Sequence, residues 1–167
     1  MLEASILVIG DEILGGFVQD TNSSWLAERL REQGVSLSRI HTVPDDLAAV
    51  GECLQLELGR SRPRLILTTG GIGPTPDDVT FEAIAASLGV PLVEEPWIAR
   101  RVEMAIGWQG EQGIDVTDEF RTHMMRMARI PEGGELVNRL SVGVDDGANL
   151  NAPSSLKGPT TSGHKAA

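Results

Sequence analysis

A chain of 167 residues with 41% hydrophobic and 23% charged side chains has the size and composition of one globular domain, which excludes disorder over its whole length. Its 24 acidic against 14 basic residues give a formal net charge of -10, a field that repels nucleic-acid backbones and anionic membranes, so neither is an expected partner. The one cysteine, Cys53, excludes an internal disulfide, and the start offers no basic segment and an apolar run of only Ile6 to Ile9. That is too short for a signal peptide or a membrane span, so the expected location is the cytoplasm.

Ser5 to Ile9 is a continuous apolar run ending at Gly10, the pattern of a strand buried on both faces. A helical period starts near Asn22, with Asn22 or Ser23 as cap, Trp25, Leu26 and Leu30 on one face, and Gly34 as the stop. Val35 to Val43 alternates as a strand, and Asp45 or Asp46 caps a helix through about Leu58 that buries Cys53. Leu65 to Thr69 is the next strand, broken by Gly70-Gly71, after which Asp78 caps a helix from Val79 to Leu88 closed by Gly89. Val90 to Val93 reads as a short strand, and Pro96 opens a helix to about Trp108. Gly107, Gly110 and Gly113 make the following stretch loop-like. Thr117 caps a last helix to Ala128, whose Phe120, Met124, Met127 and Ala128 share a face of core type.

Strands alternating with helices predict an α/β fold, a three-layer sandwich of a mostly parallel sheet with helices on both faces. Residues 1–142 form the expected domain. Residues 143–167, rich in Ser, Pro, Gly, Thr and Ala toward the end, read as a disordered or divergent tail.

Three strands end in acidic pairs: Asp11-Glu12 after Gly10, Asp45-Asp46 after Pro44, and Asp77-Asp78 after Gly70-Gly71-Ile72-Gly73-Pro74-Thr75-Pro76. In a parallel sheet the carboxyl ends lie on one edge, where ligands bind, so pairs far apart in sequence converge there. Each pair alone is explained by helix capping or a solvated loop; their convergence beside a glycine loop is what points to a site. The loop is neither a Walker A, lacking Lys-Ser/Thr after its glycines, nor a dinucleotide fingerprint, since Pro74-Thr75-Pro76 replaces the third glycine. It lets backbone N–H groups approach an anion. Carboxylates beside a phosphate cradle make electrostatic sense when a divalent metal such as Mg²⁺ or Mn²⁺ lies between them. His41, His123 and His164 show no metal-ligand spacing, and there is no nucleophile elbow.

Thr69-Gly70-Gly71-Ile72-Gly73-Pro74-Thr75-Pro76-Asp77-Asp78-Val79-Thr80 resembles the signature of the MoaB/Mog molybdopterin-binding fold, and more narrowly that of the N-terminal domain of the competence/damage-inducible CinA proteins, with its GGxGPT-x-DD run. Gly10-Asp11-Glu12-Ile13-Leu14-Gly15-Gly16, with Asp20-Thr21-Asn22 beyond it, is similar to the CinA pattern at the first strand exit. Thr42-Val43-Pro44-Asp45-Asp46 is similar to the second-strand exit, and Met127 to Gly133 to the stretch before the last strands. The resemblance runs from about residue 4 to 140. It implies assembly as a homodimer or homotrimer. For the CinA type it implies a pyrophosphatase acting on ADP-ribose or a related nucleotide with a divalent metal (Mg, Mn or Co); for the Mog branch it implies molybdopterin binding and adenylylation. Carried over, Asp45 and Asp78 match the catalytic positions, and Asp45, Asp77 and Asp78 are the metal candidates. Gly70, Gly71, Gly73 and Thr75 match the phosphate or pterin-phosphate loop, and Glu12 and Asn22 the first-strand part of the site. The alternative is a module that binds molybdopterin or a nucleotide without turnover. Two departures stand out: Ser141-Val142-Gly143-Val144 does not supply the small-residue motif expected after Asn138, and there is no room for the C-terminal nicotinamide-mononucleotide deamidase domain of full-length CinA proteins.

Overall fold

The computed structural model describes residues 2–61 and 63–137. The chain divides into two units between Gly134 and Glu135, and the architecture below is that of the first. The expected boundary at 142/143, the tail, His164 and the departure at residues 141–144 lie outside the described residues.

Strand β1 (Glu3–Ile9) is the middle of a three-stranded parallel sheet of order β2-β1-β3, with β2 at Ser36–Val43 and β3 at Arg64–Thr69. The register aligns Ile9 with Val43 and Val8 with Thr69, so the three strands run out side by side. The uninterrupted apolar run of β1 follows from this central place, because alternate side chains enter different cores. Ala4, Ile6 and Val8 pack with Leu26 and Leu30 of helix α2 (Asn22–Glu32) on one face. Leu7 and Ile9 pack on the other with Val50, Cys53 and Leu54 of α3 (Leu47–Leu58) and Ala83 of α4 (Thr80–Leu88). Helices thus cover both faces, the three-layer α/β arrangement the pattern predicts.

The remainder departs from a purely parallel plan. Strand β4 (Leu92–Glu94) pairs antiparallel with β5 (Arg129–Pro131) in a separate two-stranded sheet, because the helices α5 (Pro96–Glu111) and α6 (Asp118–Arg126) between them return the chain alongside. Helix α5 runs straight through Gly107 and Gly110, where the sequence reads as loop. Its Glu95 cap accepts from the N–H groups of Trp97 and Ile98, and its buried Ala99, Val102 and Ile106 hold it against the weak local propensity of the glycines. Thr117 caps α6 as expected, accepting from Phe120 N–H at 3.1 Å; Met124 and Met127 are half-buried and Ala128 is fully buried.

Other local expectations shift. Helix α2 is closed not by Asn22 or Ser23 but by Asp20, whose carboxylate accepts from both the N–H and the hydroxyl of Ser23. Trp25 turns outward, with the Arg29 guanidinium 5.6 Å from its ring centre, so the buried stripe runs through Leu26 and Leu30 without it. Among the described residues no helix is long and apolar enough to cross a membrane.

At the amino end of the sheet, opposite the strand exits, Glu57 of α3 is buried to 2% side-chain exposure. It accepts from Ser5 Oγ at 2.5 Å, from Arg64 Nε at 2.9 Å and from Arg64 Nη2, while His41 Nε2 lies 3.0 Å from its other oxygen. Burial works against this carboxylate, but the bonds from Ser5, His41 and Arg64 and the Arg64 charge outweigh it and hold the pKa at about 2. A depressed folded-state pKa is stability that is complete above the unfolded value near 4.5 and is lost as pH falls toward 2. The full shift corresponds to about 3 kcal/mol, of which about 2 kcal/mol is gone by pH 3. Denaturant melts at pH 6 and pH 3 should therefore show the wild type losing about 2 kcal/mol more than Glu57→Gln. Equal losses would remove Glu57 from the acid response.

Candidate functional site at the carboxyl edge

Gly70 makes the site possible. It leaves β3 at φ 94°, and a Cβ there would sit 1.9 Å from the carbonyl oxygen of Ile9, so the exits of β1 and β3 touch backbone to backbone. Gly71 follows at φ 60°, where a Cβ would lie 2.5 Å from Thr80 Oγ1 and 3.3 Å from Asp45 Oδ1. Thr80, the first residue of α4 and fully buried, donates from its N–H to Gly71 O at 3.1 Å and from its hydroxyl to Gly70 O at 2.8 Å. With both carbonyls drawn toward α4, the N–H groups of Gly71 and Ile72 find no acceptor among the described residues.

Asp45 and Asp46 divide their work. Asp46 is the cap of α3, accepting from Ala49 N–H at 2.8 Å, which leaves Asp45 to the site. Asp45 Oδ2 accepts from the N–H of Asp11 at 2.9 Å, tying the β2 exit to the β1 exit. Burial raises the Asp45 pKa above the ordinary carboxylate value. The Asp11 N–H opposes this, and the charges of Glu12, Asp11 and Asp77 push further upward. Asp45 therefore feels the charges of carboxylates from the exits of both β1 and β3. Asp11 and Glu12 begin a single turn, α1 (Asp11–Leu14), rather than a plain loop, and the Glu12 carboxylate lies over Gly10, 2.8 Å from where a Cβ would stand.

Asp78 is placed differently from the expected helix cap. Val79 occupies the cap position of α4 with no side-chain bond, and Asp78 Oδ2 turns back to accept from the N–H of Thr75 at 2.9 Å and from Thr75 Oγ1 at 2.5 Å. Burial pulls its pKa up, but the bonds from Thr75 and the Gly73 N–H, with the Arg126 charge, bring it below the ordinary value. Asp78 is thus an internal anion that folds the 73–78 segment around itself, and Thr75 spends both its donors on it. Asn22 reaches across to donate to Thr69 Oγ1 at 2.8 Å, fastening α2 to the β3 exit.

Arg126, at the end of α6, carries no signal in the sequence. Its guanidinium donates to Thr75 O at 2.9 Å, to Asp78 O at 3.2 Å and to Glu82 Oε1 at 3.1 Å. With Gly71, Ile72, Gly73, Asp78, Phe81 and Glu82 it lines a small cavity against the glycine loop. Only its separation of 44 to 51 residues from its partners hid it. Among the described residues no three His, Cys, Asp or Glu side chains come together as a metal-binding group, so Asp45, Asp77 and Asp78 do not form a ready-made cage.

These features define a class. Residues 5–157 match the family described as "Probable molybdopterin binding domain", and the chain belongs to that family. Within it the relatives include CinA-like proteins. A CinA-like protein of Citrifermentans bemidjiense is 47% identical over 136 residues, 81% of this chain and 31% of that protein. A putative competence-damage inducible protein of Oceanobacillus iheyensis is 35% identical over 81% of this chain and 30% of its own length. An Aeropyrum pernix protein is 36% identical over 92% of this chain and 53% of its own. The chain therefore spans from about a third to about half of the curated relatives it matches. The crystal structure of CinA from Thermoplasma acidophilum superposes with a TM-score of 0.62 at 30% identity, covering 78% of this chain and 70% of that one.

The electrostatics of the acidic edge can be measured by titrating the Asp45 carboxyl by NMR. Its midpoint should lie above that of an ordinary aspartate and should fall on Glu12→Gln, and fall less on Asp77→Asn, following the order of the two charges. A midpoint indifferent to both substitutions would separate these acids from one site.

Proposed function

We propose that the carboxyl edge binds the diphosphate of a small nucleotide- or pterin-type ligand and hydrolyses its phosphoanhydride, with ADP-ribose as the substrate. The observation that carries this reading is the pair of N–H groups on Gly71 and Ile72, which have no acceptor among the described residues, beside Asp45 in a chain with CinA-like relatives. Two adjacent donors on a positive-φ turn are an anion cradle, and they sit where an incoming phosphate also meets a carboxylate.

An anionic diphosphate next to Asp11, Glu12, Asp45 and Asp77 needs a cation. Divalent magnesium is held typically by one or two carboxylates together with the oxygens of the phosphate itself, so the lack of a three-ligand protein cage suits it. Asp77, together with oxygens of the phosphate, would hold such an ion, which would supply charge neutralisation and a more acidic water. The chain's own residues account for the rest. The Gly71 and Ile72 amides orient the phosphate, and Asp45 Oδ1, the oxygen not engaged by Asp11, takes the proton of the attacking water. Burial, and after it the crowding by like charges, makes Asp45 a stronger base than a free aspartate. Asp78, bonded to Thr75, and Arg126, bonded to the carbonyls of Thr75 and Asp78, hold the loop in shape. Water adds to phosphorus, the bridging oxygen leaves, and ADP-ribose gives AMP and ribose 5-phosphate.

Purified protein with ADP-ribose and Mg²⁺, Mn²⁺ or Co²⁺ should release AMP, and Asp45→Ala should lower kcat about 100-fold. Gly71→Ala, forced against Thr80 Oγ1, should cost activity as well. AMP release that Asp45→Ala leaves unchanged would overturn the assignment. Thermal stabilisation by ADP-ribose or molybdopterin without any AMP would reduce the domain to a binding module.

A further inference from the structure

The segment joining α1 to α2 is fastened at both ends to the strand exits that frame the site. Its leading end is held by the Asp11 N–H on Asp45, its trailing end by Asn22 on Thr69. Between them the chain is braced, since the N–H groups of Phe17 and Val18 both donate to Glu12 O, at 2.9 and 3.1 Å, and Gly15 N–H donates to Asp11 O at 2.8 Å. The Phe17 ring lies so close over Gly15 that a Cβ there would meet Cε2 at 2.7 Å. Yet the residue is 87% exposed.

A phenyl ring on a backbone-fixed loop, with one surface against a glycine and the rest in water, leaves apolar area unburied at a real cost. It also stands in an acidic neighbourhood. Asp11, Glu12 and Asp20 flank the segment, so the part of a ligand that comes to rest there is uncharged. A path of contacts leads to it from the cradle: Gly71 borders Asp45, Asp45 binds Asp11, and Glu12 holds Phe17.

We propose that Phe17 is the stacking platform for the neutral aromatic heterocycle, a purine or pterin ring, of the ligand whose diphosphate rests on Gly71 and Ile72. This inference depends on the proposed function for the placement of the phosphates, and adds what the site selects at the other end of the ligand. Ring-on-ring stacking tolerates different heterocycles, because each offers a π-face. The selectivity it confers is therefore for planarity rather than for one base.

The test compares ADP-ribose with inorganic pyrophosphate, a probe with the phosphates and no ring, both in the presence of Mg²⁺. Phe17→Ala should weaken ADP-ribose, read as Kd or KM, about tenfold, leaving the Kd of pyrophosphate unchanged. Phe17→Trp should keep ADP-ribose affinity, and its added indole emission, taken against the wild type, should be quenched by ADP-ribose and not by pyrophosphate. If pyrophosphate does not bind the wild type, the phosphate cradle and this platform fall together. If it binds, and Phe17→Ala leaves the ratio of the two affinities unaltered, only the platform falls. A Phe17→Ala protein that changes its sedimentation mass and not that ratio would make Phe17 a contact between copies of the chain and overturn the proposal.

Discussion

The structure depends on a contact between two backbones. Where β3 ends, Gly70 passes over the carbonyl of Ile9 at a separation that admits no side chain. Three consequences follow from that closeness. The third strand's loop is delivered next to the first strand's exit. Gly71 is brought against Asp45 at the exit of the second strand. Thr80 can then reach back from α4 to seal both glycine carbonyls. None of the acidic groups at this edge creates this geometry; they occupy places that the crossing of two strands has already set.

The two ends of the same sheet treat carboxylates in opposite ways. At the amino end Glu57 is surrounded by donors and cations and is held ionised with a pKa of about 2. At the carboxyl end Asp45 is pushed up, by burial first and then by three neighbouring acids, against one backbone donor. The first arrangement is finished, with its charge met inside the protein. The second is left open to solvent and short of positive charge. A chain of formal net charge -10 could have spread its acids evenly, so their concentration at one edge is informative about where an exogenous cation or donor belongs.

Much of the fold and part of the site could be read from the sequence. The unbroken apolar run of β1 announced a central strand, because both its faces are core. The three acidic pairs announced the edge, because parallel strands place their ends together. What escaped were decisions made at long range or by competition. Asp45 and Asp46 are equivalent as helix caps in sequence; the choice falls to Asp46 because Asp45 is claimed by the Asp11 N–H. Asp78 looks like a cap and is instead drawn back by Thr75, whose two donors outbid the helix end. The glycines of α5 suggest a loop, and packing of Ala99, Val102 and Ile106 overrides them. Trp25 was read into the core face by its neighbours and lies outside it, one residue off the stripe through Leu26 and Leu30.

Arg126 gives the loop an unusual dependence. The segment that carries Thr75 and Asp78 springs from the parallel sheet, but the guanidinium that holds its carbonyls belongs to α6, which leads into the antiparallel pair β4–β5. The cradle's shape is accordingly set from two parts of the fold that share no sheet. The Glu103–Arg121 ion pair joins α5 to the same helix that carries Arg126, so the placing of that guanidinium depends on how α5 and α6 pack. The conformation of the glycine loop is therefore a gauge of how well the second half of the fold is assembled.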